Sequence, residues 1–442
     1  MSNKTLVNLV FVSIIVAVFS CSSLVEAASP LDSIAESYVR LALQVGQYDE
    51  YMVDSYFGPE EWRPTTPVEE NADPPYDVFL TEAETLAEKL KGIDTTQLAG
   101  LHLKRYRFLD GQITALIGRI RVLTGTILPF DVETRSLYGI ELPPFDKIYY
   151  DSLLQELDRL LPGEGSVSAR FNACQAQMQV PPERVEYVFR AGMRAARSRA
   201  AQHIDLPAPD SVSIEIVHDK WWTANCRYLG NGHSHMEFNA DHPFYIDEAI
   251  SYPCHEMYPG HHVSYLYVDR YLVNDSGWVE FSLIPCFSPF TGLLEGIAEY
   301  GIDLTFPGTE WIEFVKDSLC PIAGIDTGLV ESYYDLWKLK YRLYSVESHI
   351  ARQYLSGEID STDAKAQLMH YAIYGEHEVV ARIDAYDSYR SYVVTYYVGK
   401  DLVRQHVETV TAGASDSEAK WKAFAELLRL PLNPANLTLK SR

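Results

Sequence analysis

The chain has 442 residues, 47% apolar and 12% aromatic, with thirty tyrosines and a formal charge of −24 at pH 7. That much apolar material argues against a disordered chain, and the length suffices for one large or two ordinary domains. The acidic field repels phosphate backbones and anionic headgroups, so nucleic acid is not expected as a partner, whereas cations and neutral ligands are accommodated.

The first residues carry one lysine, an apolar run from Leu6 to Phe19, and small residues ending at Val25-Glu26-Ala27-Ala28. The run is short for a membrane span and has the layout of a secretory leader over 1–27, with cleavage after Ala27 or Ala28. The expected location is secreted or extracytoplasmic, with no stable membrane insertion after leader removal. Ser20-Cys21 offers a lipid-anchored, periplasmic alternative. Beyond the leader, Cys174, Cys226, Cys254, Cys286 and Cys320 are scattered and show no CxxC spacing. They form neither a disulfide scaffold nor a zinc knuckle, though one or two disulfides fit an oxidising compartment.

Helical spacing of apolar residues runs over 31–56, and a five-proline stretch, "GPEEWRPTTPVEENADPPYD", then reads as a loop. Amphipathic helices follow across 77–125, at "YYDSLLQELDRLL" and at "PPERVEYVFRAGMRAARSRAAQHI", so 28–210 reads as an N-terminal helical region. From Ser211 the residues become β-branched and alternating, broken by Gly230-Asn231-Gly232, which predicts a small antiparallel sheet. Helices resume near 247 and continue to the end, including one read through "DAYDSYRSYVVTYYVGKDLVRQHVETV". The expected class is mainly α with one small sheet. Residues 211–442 form the catalytic region, integrated with the first.

That sheet precedes "HEMYPGHH", residues 255–262. A zinc hydrolase needs three protein ligands, an open position for water and a carboxylate beside it, and HExxH on one helix is the common solution. Here the fifth position is Pro259, and the candidate second histidines are His261 and His262. On an unbroken helix a six-residue step turns ~600° and rises ~9 Å, too far for His255 and His261 to share an ion. Pro259 lacks the amide that would continue the helix, and Gly260 tolerates unusual backbone angles, so the pair forces a bulge. Two residues looped out bring His261 to the second ligand position. His262 then serves in a supporting position or as the alternative ligand. Glu256 is placed as general base. In "GLLEGIAEYGIDL", Glu295, Glu299 and Asp303 share one face of an otherwise apolar helix, and buried carboxylates need a partner. Glu295 is the expected third ligand and Glu299 its support.

"HEMYPGHH" followed by "EGIAEY" resembles the HExxPGHH and EGWAxY signatures of a bacterial family of unknown function grouped with gluzincin-like zinc metallopeptidases. The resemblance extends more loosely through "DSYFGPEEW" and "YRSYVVTYYVGK", with Ile297 where the family carries tryptophan. It implies a helical gluzincin-like architecture, a Zn2+ cofactor held by His255, His261 and Glu295, Glu256 as base, and a peptide or small amide substrate. In such enzymes a strand beside the active-site helix pairs with extended substrate, and "GHSHMEFN" is the expected strand. Arg390 and Tyr396 are candidates to stabilise the oxyanion or hold a substrate carboxylate. The alternatives are a zinc hydrolase of non-peptide amides or esters, and a non-catalytic metal-binding protein.

Overall fold

A computed structural model describes residues 29–437 except 67, 69–72, 219, 221–222, 240 and 415; the expected leader lies outside them. The described chain is mainly α. Helix α1 (Pro30–Val45) opens on a capping box in which the Ser29 amide donates to Asp32 and the Ser29 hydroxyl accepts from Leu31. It ends at Gly46, and the segment read as its continuation instead holds a short strand, β1 (Val53–Tyr56). The reason is non-local: β1 exists by pairing with β5 (Leu283–Pro285), and nothing in the local periodicity announces that partner.

Helices α2 (Tyr76–Lys91), α3 (Gly100–Leu123), α4 (Phe130–Tyr138), α5 (Lys147–Leu160), α6 (Val167–Ala176) and α7 (Val185–His203) complete the N-terminal layer. The sheet then comprises β2 (Ser211–Val217), β3 (Ala224–Tyr228) and β4 (His233–Asn239), in the order β2-β4-β3. The expected antiparallel hairpin is β3–β4, turned through Gly230, Asn231 and Gly232, all at positive φ. β2 joins β4 in parallel, so the sheet is mixed: the chain returns to β4 through β3 and never by a direct hairpin from β2.

Helix α8 (Glu248–Tyr252) leads into a π-helical turn over Pro253–Met257, followed by α9 (His261–Tyr267). Beyond β5 lies α10 (Pro289–Thr305), started by Pro289 and by Ser288, whose hydroxyl accepts from the Thr291 amide. There follow α11 (Thr309–Phe314), α12 (Cys320–Ala323), α13 (Val330–Leu343), α14 (Glu347–Leu355), α15 (Ser361–Tyr371), α16 (Glu376–Tyr389), α17 (Val394–Val410), α18 (Ser417–Leu427) and α19 (Pro434–Leu437). The segment read as one helix through 384–410 is two, because Arg390 takes φ 53 and ψ −119 between α16 and α17. One hydrophobic cluster runs from Leu31 to Leu437 across both regions. Among the described residues all five cysteines are free, and Cys254 is a small buried residue.

α10 is buried almost all round, and its tightest neighbour is α17. A Cβ at Gly296 would lie 2.3 Å from the Gly399 carbonyl carbon, so the backbones touch where these glycines cross. This contact sets the depth of Glu295 and Glu299 against the tyrosines of α17. Gly296→Ala is therefore expected to lower unfolding free energy by about 1–3 kcal/mol through overpacking. Urea titration of the variant beside the parent checks this.

Candidate metal centre

The π-helical turn widens the helix end, Tyr258 is extended at φ −126, and the chain re-enters a helix at His261. The Gly260 amide donates to the Cys254 carbonyl at 3.0 Å, and a Cβ at Gly260 would stand 1.8 Å from the His255 carbonyl oxygen. Only glycine fits this fold-back, which is the bulge expected from Pro259-Gly260. The consequence is that His255 and His261 meet although six residues separate them.

Nε2 of His255 and Nε2 of His261 are 3.2 Å apart. Glu295 Oε2, from α10, lies 3.2 Å from the first and 3.6 Å from the second. Tetrahedral zinc with ligands at about 2.0–2.2 Å requires donor separations of about 3.3–3.6 Å, so this triangle has the size of a zinc face. His261 Nδ1 and Glu295 Oε2 are buried polar atoms without a hydrogen-bond partner, a costly state that a cation at the triangle relieves for the carboxylate oxygen. The donor set therefore fits the expected ion, and His261 rather than His262 belongs to it.

Glu299, one turn along α10, supports the first histidine: its Oε1 is 3.2 Å from His255 Nδ1. Tyr341 donates to the other Glu299 oxygen, Lys400 Nζ donates to the Tyr341 hydroxyl at 3.0 Å, and Asp303 holds Lys400 at 2.8 Å. This chain fixes ring orientation and leaves Nε2 to face the triangle. The Tyr392 hydroxyl donates to Glu295 Oε1 at 2.7 Å, steering Oε2 toward the histidines. Burial alone would depress the His255 imidazolium, but Glu295 and Glu299 outweigh it and hold its pKa well above the ordinary value. Burial would likewise raise Glu295, yet His261 and His255 hold it well below the usual carboxylate range.

Glu256 is 7% exposed, and burial pushes its pKa up against the opposing pull of His255 and His261. A carboxylate of raised basicity beside the triangle suits proton transfer. The Tyr396 ring lies 6.3 Å from the His255 ring, and burial together with Glu295 pushes its phenol well above the ordinary value, so it remains a donor at neutral pH.

Other expectations are corrected. His262 is fully buried and engaged at both nitrogens, with Ser234 Oγ at 2.7 Å and Asp210 Oδ1 at 3.0 Å; Asp210 also accepts from Tyr258 and Arg197. It pins the start of α9 rather than binding metal. Arg390 is committed to buried Glu133 on α4, Nε to Oε2 at 2.7 Å, while Ser391 donates to the same carboxylate. β4 is central and paired on both sides, so it has no edge for a substrate. His233, His235 and Glu237 instead tie strands together through Ser211, Ser213, Glu215 and Arg227. Of the two outer strands, β2 and β3, β3 is the one in electrostatic reach of Glu256. There Thr223 and Leu229 bond back to β4, which turns the main-chain groups of Ala224, Cys226 and Tyr228 outward, and Ser55 Oγ accepts the Tyr228 amide at 3.2 Å.

The residues that sequence reasoning missed are Tyr392, Tyr341, Lys400, Asp210 and Asp54. Asp54 lies on β1 in electrostatic reach of His261 and Glu295, and burial pushes its pKa up to about 6. Only the position of "DSYFGPEEW" within the resemblance hinted at it.

No family model matches this chain, and no curated protein matches it. Among solved structures it is similar to a protein of Colwellia psychrerythraea described as a candidate lipoprotein, at TM-score 0.51 and 14% identity, covering 81% of this chain and 65% of that one. It is also similar to a candidate lipoprotein of unknown function from Shewanella oneidensis, at TM-score 0.46 and 13% identity, covering 82% of this chain and 71% of that one. The chain thus spans about 65% of the length of the first of these, and the likeness is one of fold.

Two outcomes follow from the geometry. Glu299→Gln is expected to weaken zinc affinity about 10- to 100-fold, read by competition with a chromophoric chelator. Arg390→Ala leaves the buried Glu133 without its cation, held by Ser391 alone among the described residues, and is expected to cost about 3–5 kcal/mol of stability, read by urea unfolding, with zinc content unchanged in the folded fraction.

Proposed function

We propose that the chain is a zinc-dependent hydrolase, most naturally a metallopeptidase, with His255, His261 and Glu295 as ligands. The carrying observation is the buried triangle of donor atoms at 3.2, 3.2 and 3.6 Å with a second carboxylate, Glu256, next to His255 in the sequence. A purely structural zinc site closes all four positions with protein ligands and has no use for a base. Zinc bound there supplies Lewis acidity.

The chain's own residues supply the rest. Glu256 removes a proton from the attacking water and returns it to the leaving amine, a task favoured by its raised pKa. Tyr396, held protonated, donates toward the oxygen on which negative charge develops. The outward main-chain groups of β3 at Ala224 and Cys226 pair with an extended backbone, and Cys226 lies within electrostatic reach of Glu256, so that edge runs past the base. Glu299, Tyr341 and Lys400 hold the His255 ring in register throughout.

An extracytoplasmic location, secreted or lipid-anchored, accords with the leader-like N-terminus and with the description of the Colwellia psychrerythraea neighbour as a candidate lipoprotein. No described helix is long and apolar enough to cross a membrane.

Glu256→Gln is the discriminating variant. It is expected to retain zinc at the parent's stoichiometry and to lose at least 100-fold in kcat on a quenched-fluorescence peptide library cleaved by the parent. Equal cleavage by parent and variant would contradict Glu256 as base.

A further inference from the structure

The pairing of β1 with β5 is irregular at one place. Val53 stands opposite Pro285 and Ser55 opposite Ile284, so Asp54 is the extra residue of a β-bulge. A bulge breaks the alternation of a strand and re-aims one side chain. The two flanking residues are fixed: Val53 is in register, and Ser55 Oγ holds the Tyr228 amide at the edge of β3. The re-aimed group is a carboxylate whose electrostatic neighbours are His261, Arg227 and Glu295. It also acts on Cys226, Tyr265 and Cys286, each of which feels Glu256 or Glu295 as well.

Asp54 stands outside the three-atom cluster, which comprises His255, His261 and Glu295. It accepts from its neighbour's hydroxyl, Ser55 Oγ, at 3.3 Å. The arginine that acts on it, Arg227, is shared with Glu237 at 3.3 Å. Asp54 is thus a partly exposed carboxylate on the strand that meets the β3 edge, and among the described residues no lysine or arginine forms an ion pair with it.

We propose that Asp54 is a specificity-determining residue that receives an ammonium group of the substrate beside the scissile bond. This rests on the hydrolase reading for the identity of the cleft. The ammonium is either a free N-terminus or a lysine side chain. Both present three donors to a carboxylate and have the sign that the acidic chain attracts. A charge-assisted hydrogen bond in a partly desolvated site favours the charged ligand over its neutral isostere by about 10- to 100-fold.

The test is binding, separated from cleavage by working in the zinc-loaded Glu256→Gln protein and in the same protein carrying Asp54→Asn. Calorimetry would use three probes: tetra-alanine amide with a free N-terminus, its N-acetylated form, and N-acetyl-Ala-Lys-Ala-Ala amide. The expected result is that at least one charged probe binds 10- to 100-fold more tightly than the acetylated neutral one, and that Asp54→Asn erases the difference. The two charged probes tell a free terminus from a lysine. Binding indifferent to charge, no binding by any probe up to millimolar concentration, or a preference that survives Asp54→Asn overturns the proposal. So does loss of zinc in Asp54→Asn with the preference intact, which would make Asp54 a support for His261. Glu256-dependent cleavage by the parent alongside charge-indifferent binding would refute this role and leave the hydrolase reading standing; charge-selective binding without cleavage would do the reverse.

Discussion

Everything around the centre of this molecule answers one electrostatic constraint. Three carboxylates, Glu256, Glu295 and Glu299, and two histidines share a volume with little access to water. Ionised carboxylates survive there only if positive charge and donors meet them. Part of the answer is visible as hydrogen bonds: Tyr392 on Glu295, Tyr341 on Glu299, and Lys400 behind Tyr341. The other part is the geometry of the three donor atoms, whose spacing suits a divalent ion.

Bringing those atoms together requires that backbones approach closely in two places, and glycine allows both. Gly260 lets the loop fold onto the His255 carbonyl, and Gly296 lets α10 cross α17 at backbone contact. Ion pairs then tie the N-terminal layer together and, through Glu280 and Arg390, hold it against the site. Arg105 on α3 reaches Glu280 and Asp32, Arg119 reaches Asp49, and Arg390 reaches Glu133. Such pairs add little net stability, but each satisfies a charge that has no other place to go, so they constrain how the layers register. The helical N-terminal region is therefore part of the frame of the site: α3 holds Glu280 ahead of α10, and α4 holds Arg390 ahead of α17.

The legible part of the sequence was the part with short-range causes. The helices of the first half, the Gly-Asn-Gly hairpin and the break at Pro259-Gly260 follow from periodicity and from the backbone limits of proline and glycine. The meeting of His255 with His261, and of both with Glu295 on α10, was readable because motif spacing and buried acids are local facts. What was not readable depends on partners far along the chain. β1 carries a helix-like apolar period, and its pairing with β5, which places Asp54, is invisible locally. Arg390 looked catalytic beside several tyrosines, because its partner Glu133 lies 257 residues earlier. β4 was assigned the substrate edge because alternation marks a strand without telling whether it is central, and β2 completes its second side.

The central claim is that His255, His261 and Glu295 form one metal-binding unit. The most direct measurement is metal content, by mass spectrometry, of purified parent, His255→Ala and Glu295→Ala proteins after zinc incubation and dialysis. About one zinc per chain is expected in the parent and little in either variant, with all three folded by circular dichroism. A folded parent that holds no zinc, or variants that hold as much as the parent, would contradict it.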